Sequence, residues 1–222
     1  MSDYFRTQYE KLYEGDEYYW GLEPAEFLDP LLDAVNRSPS ALSVLDIGCG
    51  EGKDAVYLAQ KGCAVTAFDL TESGIRKTKL LAEHRGVNVN AFVADINSFE
   101  VDGPFDVIYS TGSIQYLFEK NIDPFFRKIH SLTKLGGFVY FNVFVDKPFL
   151  PLPPDWDKEE KMWHTGELFT HFKDWKIHSL KEVIFEDCSG GIKHYHCMDS
   201  VMAEKIMYVR RHSHGEQTEY PA

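Results

Sequence analysis

The sequence is short of cations. Its 222 residues carry 23 Lys and Arg against 35 Asp and Glu, for a formal net charge of −12. That deficit argues against a nucleic-acid backbone or an anionic membrane as partner, because both are held by clustered Lys and Arg. It leaves room for a small anionic substrate, whose binding follows the local field rather than the net charge. Cysteine is also sparse. Cys49, Cys63, Cys188 and Cys197 form no CxxC pair, so neither a zinc ribbon nor a thioredoxin-like redox site is indicated. A signal-peptide pattern is missing, and so is any apolar run of about 18 residues. A cytoplasmic protein with reduced thiols is therefore expected. Internal repeats and low-complexity blocks are absent.

What is present is apolar and aromatic. Hydrophobic residues make up 44% and aromatics 14%, enough for the core of one large α/β domain. Residues 1–22 carry Tyr4, Tyr9, Tyr13, Tyr18, Tyr19 and Trp20. Such a segment is too aromatic to stay disordered and is expected to fold over something. A helical period runs from about Glu23 to Asn36, where Pro30 is expected to bend or break it.

The period then changes. SVLDIG (43–48), CAVTAFDL (63–70), VNAFVAD (89–95), FDVIYST (105–111) and GFVYFNVFV (137–145) read as buried strands. KDAVYLAQKG, SGIRKTKLLAEHRG and the stretch from Asn121 to Leu135 read as the helices between them. Strands alternating with helices imply right-handed crossovers and a parallel sheet. The end of the chain breaks this rhythm. A proline-rich connection (148–163) leads to a short helix with Thr165 as its expected cap. KIHSLKEVIFE, the turn CSGG and IKHYHCMDSVMAEKIMYV then read as a terminal hairpin, with at least one strand antiparallel. The expected organisation is a covering segment (1–38), one domain (39–208) and a mobile tail (209–222).

Ligands of open α/β sheets bind at the carboxyl ends of the strands. Here three of four such ends carry a carboxylate: Asp46, Asp69 and Asp95, with Ser110 and Thr111 at the fourth. Pyrophosphate would be repelled there. The loop Gly48-Cys49-Gly50-Glu51-Gly52 is GxGxG, and Lys53 stands where a dinucleotide site has its third glycine. Glu51 and Asp54 already place negative charge at the helix start. Asp69 suits the hydroxyls of a ribose, and Asp95 with Ile96 suits an adenine edge. The ligand described is a nucleoside without phosphates and with a cationic end. S-adenosylmethionine fits. An NAD-dependent dehydrogenase would share the Asp69 position but not the GxGxG loop or Asp46.

VLDIGCGEG, FDL, VADI and FDVIYSTGSIQYL, taken in order, resemble the motifs of class I S-adenosylmethionine-dependent methyltransferases over roughly residues 40–145. YYWGLEPAEFL, VADINSFE and the FKDW segment are further similar to the tellurite-resistance methyltransferases and their small-molecule relatives. The resemblance implies a Rossmann-like, doubly wound, seven-stranded sheet with an antiparallel last strand. It also implies methyl transfer to a small nucleophile such as tellurite, selenite or a thiol. The implied cofactor contacts are Tyr19, Trp20, Asp46, Gly48, Cys49, Gly50, Glu51, Asp69, Leu70, Asp95, Ile96, Ser110 and Thr111. The alternative is a non-catalytic S-adenosylmethionine-binding regulator or scaffold; on either reading a monomer or homodimer is expected.

Catalytic candidates are fewer. Gln115 occupies a position where that subgroup often has histidine. His194 and His196 fall on one face of a strand. They are half of a metal site, but no third ligand stands out in the sequence, so no metal is expected. Their bland reading is as solvent-facing strand residues; the functional one is a general base for a neutral acceptor. Cys49 reads as a small packing residue. Glu51 reads either as a contact to the methionyl amine or as a complement to the helix dipole.

Overall fold

The computed structural model describes residues 2–154, 156, 157, 160–188, 191–211 and 217–221. Five parallel strands form its centre: β1 (Ser43–Ile47), β2 (Ala64–Asp69), β3 (Val89–Val93), β4 (Phe105–Ser110) and β5 (Thr133–Phe144). The hairpin β6 (Lys176–Asp187) and β7 (His194–Glu204) completes a seven-stranded sheet in the order β3-β2-β1-β4-β5-β7-β6. β7 runs antiparallel to both β5 and β6. The expected doubly wound sheet with an antiparallel last strand is therefore the one observed. The strand order reverses between β1 and β4, which opens a crevice at their carboxyl ends.

Alternation along the strands sorts the core into two layers. Leu45, Ile47, Ile108, Val139 and Phe141 face α5 (Ile122–Leu132), Trp163 and Phe172. Val44, Val65, Ala67, Val107 and Tyr109 face α2 (Leu28–Val35) and α3 (Lys53–Gln60). Both layers are desolvated: Val44, Leu45, Ile47, Ile108 and Phe141 have no exposure. Each such side chain contributes about 1.5–3 kcal/mol by leaving water. α4 (Glu72–His84) packs beside β3 with Leu81 and Ala82. Its first turn is capped by Thr71, whose Oγ1 accepts from the Gly74 amide, as a β-region N-cap should.

Several local expectations are corrected. Pro30 does not break its helix. It sits in the first turn of α2, where no intrahelical donor is lost. Thr165 does not cap the following helix. Gly166 holds that position in a left-handed conformation, and α6 is only Glu167–Thr170. Thr165 Oγ1 instead bonds Lys147 and Glu182. The end of the chain pairs as a ribbon, β8 (Met207–Arg211) with β9 (Gln217–Pro221), where an unpaired tail was expected. The remaining tail residues, Ser189 and Gly190 of the CSGG turn, and Lys158 and Glu159 of the connection lie outside the described residues.

Candidate functional site

The aromatic N-terminus folds as α1 (Ser2–Tyr13) and lies across the carboxyl ends of the strands. It is fastened at three places. Glu10 accepts the Glu72 and Ser73 amides at 2.6 and 3.0 Å, at the start of α4. The Tyr9 and Tyr116 hydroxyls share a hydrogen bond, and the Phe5 and Tyr116 rings stand 4.7 Å apart. Trp20 Nε1 donates to the Tyr13 hydroxyl at 2.9 Å. Burial pushes the Tyr9 hydroxyl up to about 12, so it stays protonated at neutral pH and able to donate.

Beneath this cover lies a cavity of about 420 Å³. Its wall includes Trp20, Gly48, Asp69, Leu70, Asp95, Ile96, Thr111 and Gln115, all expected from the sequence. It also includes residues the sequence reading missed. Phe5, Tyr9 and Tyr13 come from α1, and Thr71, Asn97, Ser113 and Tyr116 from the strand-end loops. Trp156 and Glu160 come from the proline-rich connection, and Phe185 and Asp187 from β6. The aromatic content of the N-terminus and of the proline-rich connection, which carries Trp156, was the signal for some of these. The others are brought in by tertiary folding.

The glycine loop lies close under its neighbours. A Cβ on Gly48 would come within 2.1 Å of Ser113 Oγ, and one on Gly52 within 2.5 Å of Thr78 Oγ1. Both glycines have positive φ, so side chains are excluded by space and by conformation alike. Asp69 organises this loop from the end of β2. Its Oδ2 accepts the Gly50 amide at 2.9 Å, and its Oδ1 accepts the Thr71 amide and hydroxyl at 2.9 and 2.7 Å. Burial nevertheless raises its carboxyl above the usual range. Asp95 Oδ1 accepts from the Asn97 amide and Nδ2.

Six expected contacts stand apart from the cavity wall. Asp46 shares the face of Val44 and Tyr109, behind the glycine loop. It is 3% exposed, its Oδ2 has no hydrogen-bond partner among the described residues, and burial pushes its carboxyl well up. Cys49 Sγ packs near Thr78 Oγ1, as its packing role anticipated. Glu51 forms a buried pair with Lys77 at 2.7 Å and accepts the Trp20 amide at 3.2 Å, so its charge is met within the fold. Ser110 Oγ donates to the Ile47 carbonyl at 2.9 Å. Tyr19 is 46% exposed and stacks edge-on against Trp20. Gly50 lies between Gly48 and these residues, and a Cβ added to it would meet Tyr13 and Trp20.

His194 and His196 are not solvent-facing. They are 8% and 5% exposed, because β7 lies between β5 and β6 rather than at the sheet edge. His196 reaches the cavity wall. The two Nε2 atoms are 2.9 Å apart, and Asp187, across the hairpin from His194, stands beside both. That third group was not legible as a partner in the sequence. On the cavity wall, Gln115 Nε2 donates to the Gly112 carbonyl at 2.8 Å, while its buried Oε1 has no partner among the described residues.

Residues 44–137 match the methyltransferase domain family. The fold and this domain match are similar to those of class I S-adenosylmethionine-dependent methyltransferases. Among curated proteins, the chain is 28% identical over 145 residues to the probable S-adenosyl-L-methionine-dependent methyltransferase TehB of Haemophilus influenzae. That alignment covers 64% of this chain and 49% of the relative, so the chain spans about half the relative's length. The solved TehB structure from Haemophilus influenzae superposes with a TM-score of 0.70 at 22% identity, over 90% of this chain and 66% of that one. A 1,6-didemethyltoxoflavin-N1-methyltransferase from Burkholderia thailandensis, solved with its substrate and S-adenosylhomocysteine, gives 0.67 at 20% identity over 92% and 88%. Among the described residues, no helix is long and apolar enough to cross a membrane.

Proposed function

We propose that this chain transfers a methyl group from S-adenosylmethionine to a small-molecule nucleophile. The carrying observation is the covered cavity at the carboxyl ends of β1, β2 and β4, whose wall bears Asp69, Leu70, Asp95 and Ile96 beside the glycine loop. The residues present suit this cofactor. Gly48 and Gly52 have no room for side chains, and among the described residues Asp46 and Asp69 make no ion pair, unlike Glu51 and Asp54 beside them. A ligand bearing a sulfonium and an ammonium supplies positive charge there.

Asp69 has spent about three of its four lone-pair positions on Gly50 and Thr71, which leaves Oδ2 one for a ribose hydroxyl. Asp95 Oδ2 accepts from the adenine amino group, and the Ile96 backbone serves the ring edge. Trp20 and Tyr13 close the cavity from above, which excludes water and favours the cationic sulfonium over an aromatic face. The cofactor supplies an activated methyl group; the chain supplies alignment and a dry cavity. The acceptor enters at the other end, walled by Gln115, Phe144, Trp156, Phe185 and His196. That mixture of rings with a few polar groups fits a thiol or a chalcogen oxyanion such as tellurite or selenite. Gln115 and His196 are the groups able to touch it.

The test is calorimetric titration with S-adenosylhomocysteine and NAD, followed by transfer of a radiolabelled methyl group to tellurite, selenite and thiols. Binding of S-adenosylhomocysteine alone, with turnover on one acceptor, is the expected result. Binding without turnover on any acceptor would favour the regulator or scaffold reading. No binding would refute both.

A further inference from the structure

The β6–β7 hairpin carries a group of side chains that adenosine recognition does not use. Asp187 is the register partner of His194, and His196 lies two residues further along the same face. Cross-strand partners are held close by the ladder itself, so these three meet by construction rather than by chance rotamers. His194 Nε2 and His196 Nε2 are 2.9 Å apart, and Asp187 Oδ2 lies 3.9 Å from the first and 3.6 Å from the second.

Those separations have a geometric consequence. A circle through three points spaced 2.9, 3.6 and 3.9 Å apart has a radius of about 2.0 Å, and zinc binds imidazole nitrogen and carboxylate oxygen at about 2.0–2.2 Å. One ion would reach all three donors with almost no rearrangement. The tautomer agrees. His194 Nδ1 lies 2.6 Å from the Ile192 carbonyl, a contact that needs the proton on Nδ1 and leaves the Nε2 lone pair facing inward. A backbone carbonyl on the far ring nitrogen is the usual orienting contact of a metal-bound histidine. Phe144 and Phe185 flank His196, at ring separations of 4.9 and 5.7 Å, and form an apolar shell. His196, Asp187 and both rings line the methyl-transfer cavity.

We propose that Asp187, His194 and His196 form a three-ligand site for a divalent transition-metal ion, open toward the cavity. Two imidazoles and one carboxylate suit zinc, iron(II), cobalt or nickel better than calcium or magnesium. With three ligands among the described residues, such a site can receive a further donor. The site rests on the hairpin geometry; its use in methyl transfer rests on the function proposed above. An acceptor thiol or oxyacid that ligates the ion releases its S–H or O–H proton to solvent and keeps a lone pair. That pair forms the new bond to the methyl carbon. The methyl–sulfonium bond breaks, and its electrons return to sulfur, giving neutral S-adenosylhomocysteine.

The experiment uses the full chain without a histidine tag, stripped with a chelator and titrated calorimetrically with zinc, alongside His196→Asn and Asp187→Asn. The expected result is one zinc per chain, weakened about 100-fold or more in His196→Asn and about 10-fold or more in Asp187→Asn. Equal affinity in all three proteins, or no binding in the parent chain, overturns the proposal. If a variant fails to fold, the cobalt(II) spectrum of the parent chain decides. Visible d–d bands without a thiolate charge-transfer band support the site. A thiolate band, which would place the ion on cysteine, or no cobalt spectrum, refutes it. S-adenosylhomocysteine is titrated on the same samples. Zinc without S-adenosylhomocysteine binding would sink the methyltransferase reading alone, and the reverse would sink only the metal site.

Discussion

The two ends of the central sheet treat buried carboxylates in opposite ways. At the amino end, Asp106 on β4 is surrounded by donors. Lys134 Nζ and Arg37 Nη1 each approach to 2.7 Å, and the Ser43 amide and hydroxyl to 2.9 and 2.7 Å. Burial alone would raise its carboxyl, but the bonds from Lys134, Ser43 and Arg37 outweigh it and hold the group well below the usual range. At the carboxyl end, Asp46 is just as buried and Asp69 partly so, but they have backbone amides, a hydroxyl or nothing in place of cations, and both are raised. One end closes its charges internally. The other leaves negative charge for something outside the chain to neutralise. A polar group that folding leaves incompletely compensated is a better mark of a ligand site than burial or charge alone.

The largest effect that would break this comparison is expected at Asp69. Asp69→Ala removes the proposed ribose acceptor and also releases the Gly50 and Thr71 amides that shape the loop. Hydrogen bonds to a charged group are worth about 1.5–3 kcal/mol each, so S-adenosylhomocysteine affinity should fall at least about 100-fold. Calorimetry measures it. A loss of less than about 5-fold would mean that the strand-end acid is a loop brace and not a cofactor contact.

Asp106→Ala should do the reverse. It leaves Ser43, Arg37 and Lys134 without their acceptor, but the two cations are 42% and 40% exposed and can turn to water. The expected cost is therefore about 3 kcal/mol, at the low end for breaking a buried pair, with S-adenosylhomocysteine affinity in the folded fraction unchanged within about 2-fold. Denaturant unfolding separates the two quantities. The pH dependence has a definite sign. Because folding depresses this carboxyl, its contribution is present above the unfolded value of about 4 and is lost as pH falls through the lower folded value. The variant should lose stability less steeply than the parent chain as the solution is acidified below about pH 4.

The contrast between the ends also marks what the sequence made legible. Strand and helix identities were readable because the period switches cleanly between 2 and 3.6. So was the ring of strand-end acids, since Asp69 and Asp95 sit where one loop's local chemistry places them. Side-chain direction was less readable. Asp46 and Ser110 lie at strand ends like their neighbours, yet the pleat turns Asp46 toward Tyr109, and Ser110 Oγ is taken by the Ile47 carbonyl. Glu51 reads as a free acid beside the glycine loop until Lys77 arrives from the middle of α4. Asp187 could not be paired with the histidines before the hairpin register was known, since a slip of one residue turns every side chain to the other face.

The smallest and sharpest test is Asp46→Asn. In the folded chain this carboxyl is desolvated, its Oδ2 is unpartnered, and its value is pushed well up. The linkage is therefore opposite to that of Asp106. The folded state holds the proton more tightly than the unfolded state, so stability declines as pH rises from about 4 through the folded value. Asparagine is close to the same shape and carries no charge to bury. The variant should thus be more stable than the parent chain near neutral pH, by at least about 1 kcal/mol, and should show a flatter stability profile between about pH 4 and 8. Thermal melts across that range measure both. Asp46 is off the cavity wall, so S-adenosylhomocysteine binding should weaken by less than about 10-fold, far less than in Asp69→Ala. A 100-fold loss would instead show that Asp46 reaches the ligand by a rearrangement of the glycine loop. Its raised value would then mark a carboxylate waiting for the cofactor's ammonium rather than one sealed behind it.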